Sequence, residues 1–173
     1  MITIWQRIVV ATLGLASLSW FGATLGRMFV VYDLFTPGTL GWRNIPIGQR
    51  LDQLRLAENI ATLAWSSYLV AIIAMAATLI VWRRQLRQHG YLAIASVILT
   101  ASLIWQGWIS PIELKLLHQF SSRWQPPPVE HYEMISPLIF ERFFRRSPAD
   151  FLSLLTSATI VTLLIVQPRR LDS

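Results

Sequence analysis

Apolar residues gather in four long runs along this chain, and the polar residues are confined to short segments between them. The runs are 8–26 extended through 28–32, 60–82 without a formal charge, 91–109, and 151–166. A helix needs about 20 mainly apolar residues to cross the hydrocarbon core of a bilayer. The pattern therefore predicts an all-α fold, an integral membrane four-helix bundle forming a single transmembrane domain over 1–173. The spans are expected at about 5–32, 58–82, 91–112 and 148–167. Ser110-Pro111 is expected to close the third run and Gln167-Pro168 the fourth, which needs its flanking turn, residues 147–150, to reach across. The first run carries only Arg7 ahead of it and is longer than the apolar core of a cleaved signal, so it is read as a retained span.

Both longer connections read as structured segments with short interfacial helices. Thr36-Pro37-Gly38 and Gly41-Trp42 are turn-rich. The spacing then changes to Ile47, Leu51 and Leu54 with Arg50, Asp52 and Arg55 between them, predicting an amphipathic turn or two on the membrane surface ahead of the second span. The other connection holds the stiff element Pro126-Pro127-Pro128. Ser136-Pro137 then reads as a helix start, with Phe and Ile on one side and Arg142, Arg145 and Arg146 on the other. Ser147 and Asp150 have the spacing of a capping box at the head of the fourth span, with Asp in place of the usual Glu.

Composition sharpens this reading. Apolar residues make up 54% of the chain and charged residues 14%, against about a quarter charged in ordinary soluble domains. The net charge of +6 is spread along the ends of the apolar runs, where lipid head groups would meet it, so nucleic acid is not expected as a partner. Arg83, Arg84 and Arg87 crowd the tight connection between the second and third runs, with Arg7 near one terminus and Arg169 and Arg170 near the other. Basic short segments stay cytoplasmic, which predicts a multi-pass protein of the inner (plasma) membrane with both termini in the cytoplasm. Eight of the nine acidic residues then fall outside or at the outer rim. Trp5 and Trp82 would sit at the inner face and Trp65, Trp105 and Trp108 toward the outer one, as interfacial belts require.

Two sets of residues stand out within the spans. Gly22 and Gly26 form a small-xxx-small pair, and Ala57, Ala64, Ser67, Ala71, Ala74 and Thr78 continue a small-residue face on the second span. Such faces let helices approach closely where lipid supplies no hydrophobic drive, and these are expected to pack against each other inside one bundle rather than to dimerise. Arg27, Glu58, Gln106 and Glu113 fall at a similar depth near the outer rim, and Arg27 is expected to pair with Glu58 or Glu113. Snorkelling of the same side chains toward the interface is the alternative.

Signatures of catalysis are absent from the sequence, and no catalytic residue is assigned. With no cysteine there is no thiolate ligand or thiol nucleophile. His89, His118 and His131 lie outside the spans, and the Glu130, His131, Tyr132 and Glu133 segment matches no metal-ligand spacing. No metal or cofactor is expected, while a bound lipid or quinone remains compatible with the rim cluster.

The layout resembles a loose group of bacterial four-helix inner-membrane proteins, some of them related to the anthrone-oxygenase-like family. The likeness lies in the glycine-bearing first span running into Met28-Phe29-Val30-Val31 and Pro37, in Ser110-Pro111-Ile112-Glu113, and in Phe143-Phe144-Arg145-Arg146-Ser147. The triple proline and the lack of a histidine at the head of the fourth span depart from the group, and no activity is carried over. The expected function is that of a non-catalytic subunit or assembly partner of a larger membrane protein complex, in contact with lipids and other subunits. The alternative is a small membrane enzyme or lipophilic-ligand binder using the rim cluster. A transporter is disfavoured, because the spans show neither inverted halves nor paired broken helices.

Overall fold

The computed structural model describes residues 4–37, 41–88, 90–120, 132–145 and 151–152. Among these the chain is almost wholly helical and contains no strand. In order come α1 (Ile4–Tyr32), α2 (Ile47–Val81), the short α3 (Arg83–Gln88), α4 (Gly90–Gln119), α5 (Tyr132–Phe140) and a π-helical turn, Glu141–Arg145. Three helices are long and apolar enough to cross a membrane: Ile4–Tyr32, Ile47–Val81 and Ala93–Gln119. At about 1.5 Å per residue, the 29, 35 and 30 residues of α1, α2 and α4 exceed the ~30 Å hydrocarbon thickness. The fourth apolar run, its Ser147–Asp150 cap and the triple proline lie outside the described residues, apart from Phe151 and Leu152.

Helix α2 is central: it packs most extensively on α1 and also on α4, and α1 meets α4 through long side chains, Arg27 with Glu113 and Trp20 in one cluster with Leu103. Ala57, Ser67, Ala71, Ala74 and Thr78 of α2 are buried. Its contact with α1 ends where Trp82 Nε1 donates to the Gln6 carbonyl and Gln6 Nε2 donates to the Val81 carbonyl, each at 3.3 Å. At the other end of the bundle, residues 33–37, 41–46 and α5 form a cap. Phe35 and Trp42 stack at 4.5 Å, and the edge of Phe140 meets both rings. Arg50 lies against Trp42 and Tyr132, donating to the Tyr132 hydroxyl at 2.6 Å and to the Arg43 carbonyl at 3.0 Å.

Three expectations are corrected here. The amphipathic turns at residues 47–55 are not a separate surface helix; they are the first turns of α2. No proline or glycine interrupts residues 49–81, and Leu51, Leu54, Ala57 and Ala61 keep one buried face running into the span. Nor does Pro111 end the third helix. A proline inside a helix costs about 3 kcal/mol, yet α4 continues to Gln119 because Ile112 and Leu116, together with Phe120 just beyond it, bury into the cap. Burying side chains of this size is worth roughly 1.5–3 kcal/mol each. Finally, α5 begins at Tyr132, ahead of Ser136-Pro137, and Arg142 turns inward to become one of the most deeply buried side chains.

Candidate functional site

Each of the long helices places an ionisable residue on its buried stripe. On α1, Arg27 follows Trp20 and Thr24 and precedes Val31, all buried. On α2, Glu58 lies between Leu54 and Ala61. On α4, Gln106, Ile109, Glu113, Leu116 and Phe120 repeat at three- and four-residue steps. That spacing keeps side chains on one helix face. Arg142 continues the stripe of Ile135 and Ile139 into the π-helical turn. The four charged groups therefore meet where the cap joins the bundle, between two hydrophobic clusters. One cluster includes Val31, Leu54, Leu116 and Ile139, and the other Trp20, Tyr68, Met75 and Leu103.

Arg27 bridges both carboxylates. Its Nη1 donates to Glu113 Oε2 at 2.5 Å and its Nη2 to Glu58 Oε1 at 2.6 Å. Arg142 Nε donates to the other oxygen of Glu113. All four residues are at most 5% exposed. The Phe143 ring packs against both guanidiniums, with the Arg27 and Arg142 Cζ atoms 4.9 and 5.1 Å from its centroid. Two cations and two anions make the cluster neutral as a unit. Neutrality matters, since an unpaired buried ion costs several kcal/mol even after relaxation.

A cleft with about 390 Å³ of empty space, open surroundings included, lies beneath this cluster. Residues of α1, α2 and α4 wall it, and Arg142 and Phe143 also line it. Trp20, Trp65 and Tyr68 form an aromatic side, with Tyr68 centred 5.7 Å from Trp20 and 5.6 Å from Trp65. The Tyr68 hydroxyl is committed to the Leu103 carbonyl of α4 at 2.7 Å. That approach depends on Gly107, because a Cβ there would lie 3.3 Å from the hydroxyl. Around the cluster, Arg27 Nε, Glu58 Oε2, Trp65 Nε1 and Gln106 Oε1 are buried without a hydrogen-bond partner among the described residues.

The structure thus brings Arg27, Glu58 and Glu113 into direct contact and places Gln106 in the cleft below them, outside the ion pairs. Arg142 and Phe143 were not expected there. The signal is the position of Arg142, seven residues after Ile135 and three after Ile139 on the same stripe, and a lone arginine left facing two glutamates. Ser67, Ala71 and Ala74 are buried in the bundle, and Ala64 lines the cleft. Gly22 and Gly26 bring no described helix close: a Cβ added at either would meet nothing within 4 Å. Among the described residues no group of three His, Cys, Asp or Glu could hold a metal ion. His118 lies in the last turn of α4, and His89 and His131 fall outside the described residues.

No family model, characterised protein or solved structure matches this chain.

Proposed function

We propose that the chain is a four-span protein of the inner membrane, with both termini and the Arg83–Gln88 helix cytoplasmic. On this reading it serves as a non-catalytic subunit or assembly partner of a larger membrane complex. The observation that carries the second part is the open face of α1. Among the described residues, a Cβ added at Gly14, Gly22 or Gly26 would meet nothing within 4 Å, and Leu15, Leu18 and Phe29 are 60–74% exposed. Small residues beside large apolar ones are what a membrane helix offers to another helix. The occupant proposed for this face is a transmembrane helix of another subunit.

Gentle detergent extraction followed by native mass measurement tests this. The parent should appear in a species heavier than the single chain, and Gly22→Ile should release the chain from it without lowering the monomer's melting temperature. Recovery of the parent only as a single chain overturns the subunit reading. Orientation is tested on the cysteine-free background. Gln88→Cys should resist an impermeant maleimide in intact cells and react after permeabilisation, and labelling in intact cells reverses the topology.

A further inference from the structure

We propose that the cleft beneath the ion cluster is a binding site for the head of an uncharged lipophile that presents a carbonyl oxygen, with its tail left in the bilayer. The inference is independent of the subunit reading, since it concerns the isolated chain.

Three features of the cleft specify the ligand. The first is its unmet hydrogen-bonding groups. Arg27 Nε and Trp65 Nε1 belong to residues that line the cleft, have no partner among the described residues, and can only donate. Gln106, also in the lining, has an unpartnered amide oxygen, and its carboxamide can present either an oxygen or an N–H group on rotation. Two fixed donors and one adaptable group call for an acceptor on the ligand. Leaving such groups dry and unpaired costs about 1–3 kcal/mol each, so a carbonyl that reaches them has a strong advantage over a hydrocarbon chain.

The second feature is charge. Arg27 and Arg142 are already balanced by Glu58 and Glu113 in direct contact. An anionic head would add an uncompensated charge to a low-dielectric site, and a cationic one would meet Arg27 in the cleft wall. The head is therefore neutral. The third is shape. Trp20, Trp65 and Tyr68 offer ring surface on one side, and side chains of α1, α2 and α4 wall the rest of a cleft that is open at its mouth, so a flat or narrow head enters while its chain stays outside. Two sources share this chemistry: the ring of a quinone and the ester group of a neutral diacyl lipid.

Tryptophan fluorescence of the purified chain in detergent reads the site, since Trp20 and Trp65 line it. Decyl-benzoquinone should quench saturably, and the midpoint should rise at least five-fold in Gln106→Leu and in Trp65→Phe. Trp108→Phe, on the exposed face of α4, should leave the midpoint unchanged. Circular dichroism melts of each variant separate loss of binding from loss of fold. If dioleoylglycerol displaces the quinone, both heads use the cleft. If dioleoylglycerol binds by native mass and the quinone does not, the ester is the ligand and the shared chemistry stands. Dioleoylphosphatidylglycerol should compete at least ten-fold more weakly than dioleoylglycerol. Linear, unsaturable quenching that is equal in all variants, with no dioleoylglycerol retained, overturns the site. Equal competition by the anionic lipid overturns its neutral character. None of these outcomes bears on whether the chain assembles with other subunits, which native mass of the membrane extract decides separately.

Discussion

The two ends of the bundle are built differently although the same three helices run through both. At the cap end, Val31, Leu34, Leu54, Ile112, Leu116, Ile135 and Ile139 are at most 4% exposed and interlock with Phe35 and Phe143. That is the core of a water-soluble domain in miniature, with large side chains from several segments closing on one another. Toward the Arg83–Gln88 end the buried set is smaller and includes Ala16, Ala71 and Met75, while Ile73, Ile80, Ile94 and Val97 are 56–77% exposed. The difference is what a passage from water to lipid would produce. Where water is present, burying apolar area drives packing. Where lipid surrounds the helices, large apolar side chains gain little by turning inward, and small residues and a few hydrogen bonds set the contacts. The ion cluster sits at the junction and joins the two regimes.

The largest effect should come from breaking that junction. Glu113 accepts from both arginines, so Glu113→Ala leaves Arg27 with Glu58 alone and strips Arg142 of its carboxylate. Removing one partner of a buried ion pair costs roughly 3–5 kcal/mol. The variant is expected to melt far below the parent in detergent, and Glu113→Gln, which keeps the shape and loses the charge, should follow it. Parent-like melting of Glu113→Gln would show that the cluster adds nothing to stability. The exposed pair Arg43–Asp33, 3.1 Å apart and more than half exposed on both sides, is the natural control, since such pairs contribute about 0–1 kcal/mol.

A second comparison sets one isoleucine of each end against the other. Ile139, 1% exposed in the cap, should cost about 2–5 kcal/mol on substitution by alanine. Ile80, 77% exposed at the opposite end, should cost less than about 0.5 kcal/mol. Chemical denaturation of both variants in one detergent measures the contrast. Equal losses would mean that the exposed face of α2 is covered within the isolated chain.

How far each end was legible follows from the same distinction. Three long helices are evident from apolar run length alone, because that signal is local. Arg27, Glu58 and Glu113 could be brought together because each follows from where its own span ends. The continuation of α4 through Pro111 could not be read this way: local preference says stop, and the burial of Leu116 and Phe120 against distant residues overrides it. Arg142 was hidden by a similar override. Beside Arg145 and Arg146 it looks like one charge on a polar face, although its spacing from Ile139 sets it on the buried stripe, where it pairs with a glutamate 29 residues away. Gly22 and Gly26 show the opposite limit, since a small-residue motif announces a close approach without naming the partner.

The smallest expected effect isolates one hydrogen bond between α2 and α4, away from the cap. Tyr68 donates to the Leu103 carbonyl at 2.7 Å, and Gly107 leaves room for the hydroxyl. Tyr68→Phe should lose about 1 kcal/mol, the typical net worth of such a bond. Gly107→Ala in the parent combines two opposing terms. Alanine favours the helix by roughly 0.5–1 kcal/mol over glycine, but its Cβ crowds the hydroxyl at 3.3 Å and weakens the bond. The two should nearly cancel. In the Tyr68→Phe background the crowded oxygen is gone, so the same Gly107→Ala change should keep its helical gain and stabilise by about 0.5–1 kcal/mol. The double-mutant cycle therefore predicts a coupling of that size between positions 68 and 107. Additive effects would mean that Gly107 is not what admits the tyrosine.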